Sequence, residues 1–193
     1  MRRSTLQLLA LFALAGPWAS TWAERADRNK PMVVESDGKQ AATVDLARKI
    51  SVLSGNVVVT QGTLQVKADR VEVKEEAPGR YLATATGSEG RPASFRQKRD
   101  RLDEHIEAEA ARIEYDGGAD RVKFIGAARL RLMRAGVVSD EASAATIVYE
   151  QRTDTLTFDG GAPASAGSAP GRARLVFVPR DGAASEPAGG SAK

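Results

Sequence analysis

Apolar and polar residues alternate with a period of two along much of this chain, which predicts strands with one buried and one wet face. Leu64, Val66 and Ala68 alternate with Gln65 and Lys67, and Val71 and Val73 with Arg70, Glu72 and Lys74. Leu130 and Leu132 fall between Arg129, Arg131 and Met133. Near the end, Leu175, Val176, Phe177 and Val178 are apolar in both phases, as in a strand buried on both faces or lying at an interface. Turn signals separate these runs at Gln61-Gly62, Pro78-Gly79, Asp116-Gly117-Gly118 and Ala135-Gly136. A parallel sheet would need crossovers of a dozen or more residues. One stretch, Leu102 to Ala111, is rich in good helix formers. Its Ile106, Ala108 and Ala110 also alternate, and Arg112-Ile113-Glu114-Tyr115 continues as strand, so a strand is expected there too. The pattern predicts an all-β, antiparallel protein.

The strands come in repeated units. Asp45 to Gly55, Asp116 to Gly126 and Glu150 to Gly160 share one spacing, and each follows an apolar residue expected to face inward: Val44, Tyr115 and Tyr149. Val73 and Gly87 form a looser copy. The unit reads as a strand, a polar turn and a second strand ending at glycine. That glycine is expected to take a positive φ or to form a bulge at a corner. One hairpin alone cannot bury its apolar side, whereas stacked hairpins can.

Both ends differ from this body. Arg2 and Arg3 precede the apolar run Leu6 to Ala15, and Thr21-Trp22-Ala23 follows. This is the layout of a secretory signal peptide over residues 1–23, cleaved after Ala23, with an uncleaved anchor as the alternative. No cysteine stands at the cleavage point to carry a lipid. The domain is expected over 24–180, with a polar tail at 181–193 that shows no apolar periodicity. Residues 24–30 are also polar and expected to be mobile.

Charge and chemistry narrow the function mainly by what they lack. Without Arg2 and Arg3 the chain has 26 basic side chains against 25 acidic, which does not point to nucleic acid. The run Arg96 to Arg101 is basic. It reads as a solvated loop, or as a site that meets phosphate groups. There is no cysteine and a single histidine, His105, which reads as a loop or strand-surface residue. A thiolate or histidine metal cluster, a Ser-His-acid triad and a phosphate-cradling loop therefore find no support. Asp69, Glu72, Asp140 and Glu141 lie on polar phases or in turns and are expected to be solvated. No catalytic residue, metal site or cofactor is assigned.

Ser54 to Val73 (SGNVVVTQGTLQVKADRVEV) closely resembles the central motif of the OstA-like family of periplasmic lipopolysaccharide-transport proteins. Pro31 to Asp37 resembles the family's first strand, Gly90 to Phe95 a G-x-P-A-x-F segment, and Arg174 to Val178 its terminal strand. The motif is stretched between Asp140 and Tyr149, and the loop Gly160 to Gly171 departs from the family pattern. The resemblance implies a twisted, open β-jelly roll: two antiparallel sheets in a V with an apolar groove between them. It implies lipid A acyl chains in that groove and a bridge from the inner to the outer membrane. The implied partners are like-folded domains of inner-membrane and outer-membrane proteins of the LptC and LptD type, and further copies of the chain, docked head to tail.

By motif position, Met32, Val34, Phe95 and Tyr115 are candidates to face lipid. By alternation alone, Val57, Val59, Leu64, Val66, Val73, Phe124, Leu130 and Leu132 join them. The same residues would fill a closed sandwich core, and that alternative stays open. Edge pairing with partners is expected through Met32, Val33 and Val34 at the start and Leu175, Val176, Phe177 and Val178 at the end, since neither run has an internal proline. The competing readings are a β-sheet scaffold that polymerises edge to edge without lipid, and an envelope hydrolase acting on glycan.

Overall fold

The computed structural model describes Asp27 and residues 29–99, 104–161 and 171–178. The expected signal peptide, the polar tail, most of the loop after Gly161 and the end of the basic run lie outside these residues. The described chain is built from strands: β1 (Val33–Glu35), β2 (Thr43–Asp45), β3 (Ile50–Gln61), β4 (Leu64–Ala77), β5 (Arg80–Thr86), β6 (Ala93–Lys98), β7 (Glu104–Ala110), β8 (Arg112–Asp116), β9 (Arg121–Arg134), β10 (Val137–Glu150), β11 (Thr155–Asp159) and β12 (Arg174–Phe177). All pairings between them are antiparallel. Residues 104–110 are strand, as their alternation predicts, despite their helix propensity. Burial of one face outweighs local preference there.

Four long strands organise the molecule. The first part of β4 pairs with β6 at Gln65–Lys67, and its later part pairs with β5 from Arg70 onward. In β9 the order is reversed: Arg121–Ile125 pairs with β8, and Arg129–Arg134 with β7. β3 and β10 divide in the same way. One layer is therefore β2-β3-β4-β5-β8-β9-β10-β11, and the other is β1-β3-β4-β6-β7-β9-β10-β12. The layers face each other: the Phe95 ring of β6 meets the Phe124 ring of β9 edge to face, centroids 5.2 Å apart.

The strands pass from layer to layer along a common crease. In β3 the register shifts between Ser54 and Val57, where Gly55 has φ 86° and Asn56 φ 45°. In β9 the same pair of left-handed residues recurs, Gly126 at φ 85° and Ala127 at φ 47°, beside the shift between Ala144 and Thr146 of β10. The stretched segment 140–149 is thus continuous strand with a bulge. The buried phase also slips at the crease, from Ala68 to Val71 in β4 and from Ala144 to Ile147 in β10. Backbone hydrogen bonds run along the crease from Gly87 N–H to the Ala111 carbonyl and from Ala111 N–H to the Gly126 carbonyl, each 3.0 Å.

The repeat is visible in the backbone. Each unit is a hairpin with a four-residue turn whose last residue is left-handed: Lys49 (φ 56°), Asp120 (φ 56°) and Asp154 (φ 53°). Gly55 and Gly126 have the positive φ expected of the unit's last position. In the third unit it is Gly161, one residue later than Gly160, that is left-handed.

The expected open V differs from the arrangement found. β4, β5, β8, β9, β7 and β6 form a closed ring of paired strands, and side chains fill the space between the layers. The reason is strand length: β4 and β9, at 14 residues each, are long enough to bond to a different neighbour with each half.

The crease makes a specific demand at Gly126. An added Cβ would lie 2.9 Å from the Ala111 Cβ, on a backbone that L-residues rarely adopt. Gly126→Val is expected to cost about 2–4 kcal/mol, against about 1 kcal/mol for Gly79→Ala, since Gly79 has a similar φ but nothing within 4 Å. Urea denaturation of both variants checks this. Equal losses would show that the crease contact is not the cause.

Candidate functional site

The inner faces of the two layers form one apolar interior. Val57, Val59, Leu64, Val66, Val73, Phe95, Phe124 and Leu130 are buried in it, and Met32, Val34, Tyr115 and Leu132 are partly buried and pack against it. All twelve candidates therefore converge on one place, where they touch one another and their core neighbours. Several of those neighbours were not among the candidates: Val71, Ile106, Ile113, Val122 and Ile147. Tyr149 faces inward as its place in the repeat predicts, whereas Val44, expected inward for the same reason, is 61% exposed on the short edge strand β2. The signal was available for Ile106, which alternates with charged residues, and for Val71, which follows the slip of phase in β4.

Away from the crease, the inner rows end in polar side chains. On β3, Val57 and Val59 are followed by Gln61; on β6, Ala93 and Phe95 by Gln97; on β7, Ile106 is preceded by Glu104. On β9, Leu130 and Leu132 lead to Arg134, and on β10, Ile147 and Tyr149 lead to Gln151. The apolar interior thus has a polar rim at the strand tips, which no single stretch of sequence displays.

The rim is bonded across the two layers. Gln151 Nε2–H donates to Gln97 Oε1 at 2.7 Å. Arg99, which follows β6, pairs with Asp154 in the turn between β10 and β11. The Tyr149 hydroxyl donates to Asp154 Oδ1 at 3.1 Å. Within its own layer, Arg99 also meets Glu104 at 2.7 Å, and Arg134 Nε–H donates to Glu104 at 2.7 Å. Burial lowers the Arg99 pKa, but the hydrogen bond and charge of Asp154, with Glu104, outweigh it and hold the group above its ordinary value. The basic run is therefore not a solvated loop over its described part. Arg96–Lys98 is strand, Arg96 pairs with Glu107 at 3.5 Å, and Arg99 is held by two carboxylates.

The outer faces carry cross-strand ion pairs such as Arg131–Glu141 at 3.3 Å and Arg121–Glu150 at 2.6 Å. Exposed pairs of this kind contribute little each. Of the carboxylates set aside as solvated, Glu141 is in such a pair, Glu72 meets Arg70 of its own strand at 3.9 Å, and Asp69 meets Arg91 at 2.8 Å. His105 lies on β7, opposite Lys98 and Met133. Among the described residues no group of three or more His, Cys, Asp or Glu side chains is placed to hold a metal. Two clefts beside Arg129 and Arg131 on the outer face are small, about 200 and 360 Å³.

Among the described residues, β1 and β2 each pair only with β3, and β11 and β12 each pair only with β10, so no further strand covers the sheet ends. Val33, Leu175, Phe177 and Val178 are exposed there, Phe177 to 74%. Met32 lies just before β1. Val178 extends β12 with an N–H bond to the Ser139 carbonyl at 3.2 Å. The edges of β2 and β11 were not anticipated, because three and five residues are too short to show periodicity.

Comparison with known proteins decides the family. Residues 34–155 match the model described as LptA/(LptD N-terminal domain) LPS transport protein. The chain belongs to that family. Its role is accordingly in lipopolysaccharide transport. The lipopolysaccharide export system protein LptA of Escherichia coli strain K12 is 27% identical over 156 residues, 81% of this chain and 80% of the relative. The protein of the same name from Haemophilus influenzae is 24% identical over 79% of this chain and 82% of the relative. Among solved structures, LptH of Pseudomonas aeruginosa, titled the LptA-homologous periplasmic component of the lipopolysaccharide transport device, aligns with a TM-score of 0.65. That match has 25% identity and covers 79% of this chain and 99% of the neighbour.

The core and the rim have separable costs. Phe124→Ala is expected to destabilise the protein by about 3–5 kcal/mol through the cavity it leaves. Glu104→Ala is expected to cost about 3 kcal/mol by leaving Arg99 and Arg134 without their shared carboxylate. Chemical denaturation followed by far-UV circular dichroism checks both. A loss under 1 kcal/mol for Glu104→Ala would show that the two arginines find other partners.

Proposed function

We propose that the chain is a periplasmic carrier and bridge: it takes lipid A acyl chains between its two layers and passes lipopolysaccharide from the inner to the outer membrane. One observation carries the reading. Among the described residues, every hairpin turn at the strand tips joins strands of the same layer, and the chain changes layer only along the crease. The layers are two jaws that can part at the tips without breaking a ladder bond or a turn. Opened in this way, the molecule becomes the twisted jelly roll with a V-shaped groove that the family resemblance implies. The twelve apolar candidates then line the groove.

The physical gain is large. Each acyl CH₂ exposed to water costs about 0.8 kcal/mol, so several chains crossing water unprotected cost tens. An aliphatic lining removes most of that cost, and also offsets the exposure of the layers themselves when they part. No bond is made or broken, so no catalytic group is needed.

The edges support the bridge. Each layer is a run of eight alternately antiparallel strands. The first and last strands of a layer therefore point in opposite directions. A second copy placed end to end in the same orientation brings its β1 beside β12 and its β2 beside β11, antiparallel in both layers. Such β-augmentation extends both sheets and the interior between them. Like-folded domains of the LptC and LptD type would dock in the same way.

Mass spectrometry of organic extracts tests the carrier reading, after the protein has been incubated with lipopolysaccharide and separated from free lipid. Stoichiometric lipid A is expected, falling sharply in Val34→Asp, where a half-buried position near the edge tolerates a charge while the fold survives. Phe95→Asp is not a clean test, since Phe95 is 2% exposed. An unpaired charge there costs several kcal/mol and should unfold the protein. No retained lipid on folded protein would favour the second reading, an edge-pairing scaffold with a dry core, which the packed interior by itself would also suit. For the bridge, Phe177→Lys is expected to shift chemically cross-linked ladders toward monomer without loss of circular dichroism signal. Unchanged ladders would exclude the β12 edge.

A further inference from the structure

The rim bonds join the jaws at the end opposite the crease, and they are unlike the rest of the interior. Gln97 follows Phe95 on the inner row of β6, and Gln151 follows Tyr149 just past the end of β10. The two glutamines belong to opposite layers. Their amides meet at 2.7 Å, with Gln97 only 3% exposed. Just outside them, Arg99 of one layer pairs with Asp154 of the other. Asp154 is also held by the hydroxyl of Tyr149, which is itself fully buried in the core.

We propose that Gln97–Gln151 and Arg99–Asp154 form a latch that shuts the interior when it is empty and has to open before an acyl chain can enter. The proposal rests on the carrier reading and adds to it what controls entry.

Three features fit a latch better than a permanent seam. The contacts are polar and lie between side chains, so they break and re-form without disturbing either sheet. They are directional: a parted amide pair at the rim can hydrogen-bond to water or to a polar headgroup, whereas parted core residues cannot. They are also incompletely satisfied. Arg99 Nε is buried with no hydrogen-bond partner among the described residues, which raises the free energy of the closed form and favours opening. The apolar side chains behind the latch, Phe95, Ile106 and Tyr149, are those an entering chain would meet first.

The latch also explains how a carrier with a closed interior stays soluble between cargoes. Without it, the jaws would expose a continuous apolar face, and such faces drive aggregation. With it, the closed form is favoured until lipid offers contacts worth more than the two bonds. Apparent affinity is then set by the fraction of molecules that are open.

The protein contains no cysteine, so a Gln97→Cys/Gln151→Cys pair is the only thiol pair in the chain. It is closed with a short bifunctional maleimide, and uptake of purified lipopolysaccharide is measured as retained acyl chains by mass spectrometry. Retention is expected to fall by about tenfold or more on cross-linking, with the uncross-linked pair binding at least as well as the unmodified protein. Independently, Asp154→Asn is expected to raise apparent affinity about threefold to tenfold by enlarging the open fraction. Equal retention by cross-linked and uncross-linked protein would overturn the latch alone. So would a folded Asp154→Asn protein with unchanged or weakened affinity. Failure of the unmodified protein to retain lipid would overturn the carrier reading, and the latch with it.

Discussion

Strands β3, β4, β9 and β10 each serve two facing layers, and a β-ladder does not bend sharply unless its regular pairing is broken. The breaks are the left-handed pairs Gly55-Asn56 and Gly126-Ala127, with the slips of buried phase in β4 and β10 opposite them. At each break two residues of one strand oppose one of its neighbour, so the strand turns and its next apolar residues face the same interior. Layer order, interior and hinge all follow from this line of breaks. Ala127 has a Cβ and still sits at φ 47°, a strained conformation held by the pairing on either side.

The interior has to satisfy two opposing demands. Without cysteines the protein relies on apolar burial for its stability, and Val57, Val71, Val122, Phe124 and Ile147 are almost wholly removed from water. The proposed carrier role requires the interior also to expose part of that surface. The structure separates the demands along the strands: next to the crease the layers are joined by continuous backbone, while at the tips the described residues meet only through side chains. Opening at the tips therefore leaves the hinge-side packing in place.

The uncovered edges follow the same logic at the ends of the sheets. β1 and β12 are short, which limits indiscriminate pairing. They still expose Val33 and Phe177 at edges with no further strand among the described residues. Because strands alternate in direction and each layer holds an even number, unlike ends of two copies in the same orientation meet antiparallel in both layers. The fold itself thus carries a polarity suited to head-to-tail association.

The alternation of Leu64-Val66-Ala68 and Leu130-Leu132, the turn signals, and the spacing of Val44, Tyr115 and Tyr149 to their glycines determined the strands, the hairpin repeat and the crease. Each depends only on neighbours in the chain, through the period-two geometry of a strand and the conformational freedom of glycine. The same alternation picked out residues of the interior, because facing inward is a local property. It did not determine whether the interior is an open groove or a closed one, since the same valines and leucines line both. That was decided by the two layers folding onto each other until their inner side chains pack and the rim side chains meet. The rim was equally out of reach. Gln97 and Gln151 are 54 positions apart, and Arg99 and Asp154 are 55 apart. Only the folding of one layer onto the other gives two ordinary glutamines, an arginine and an aspartate a common place.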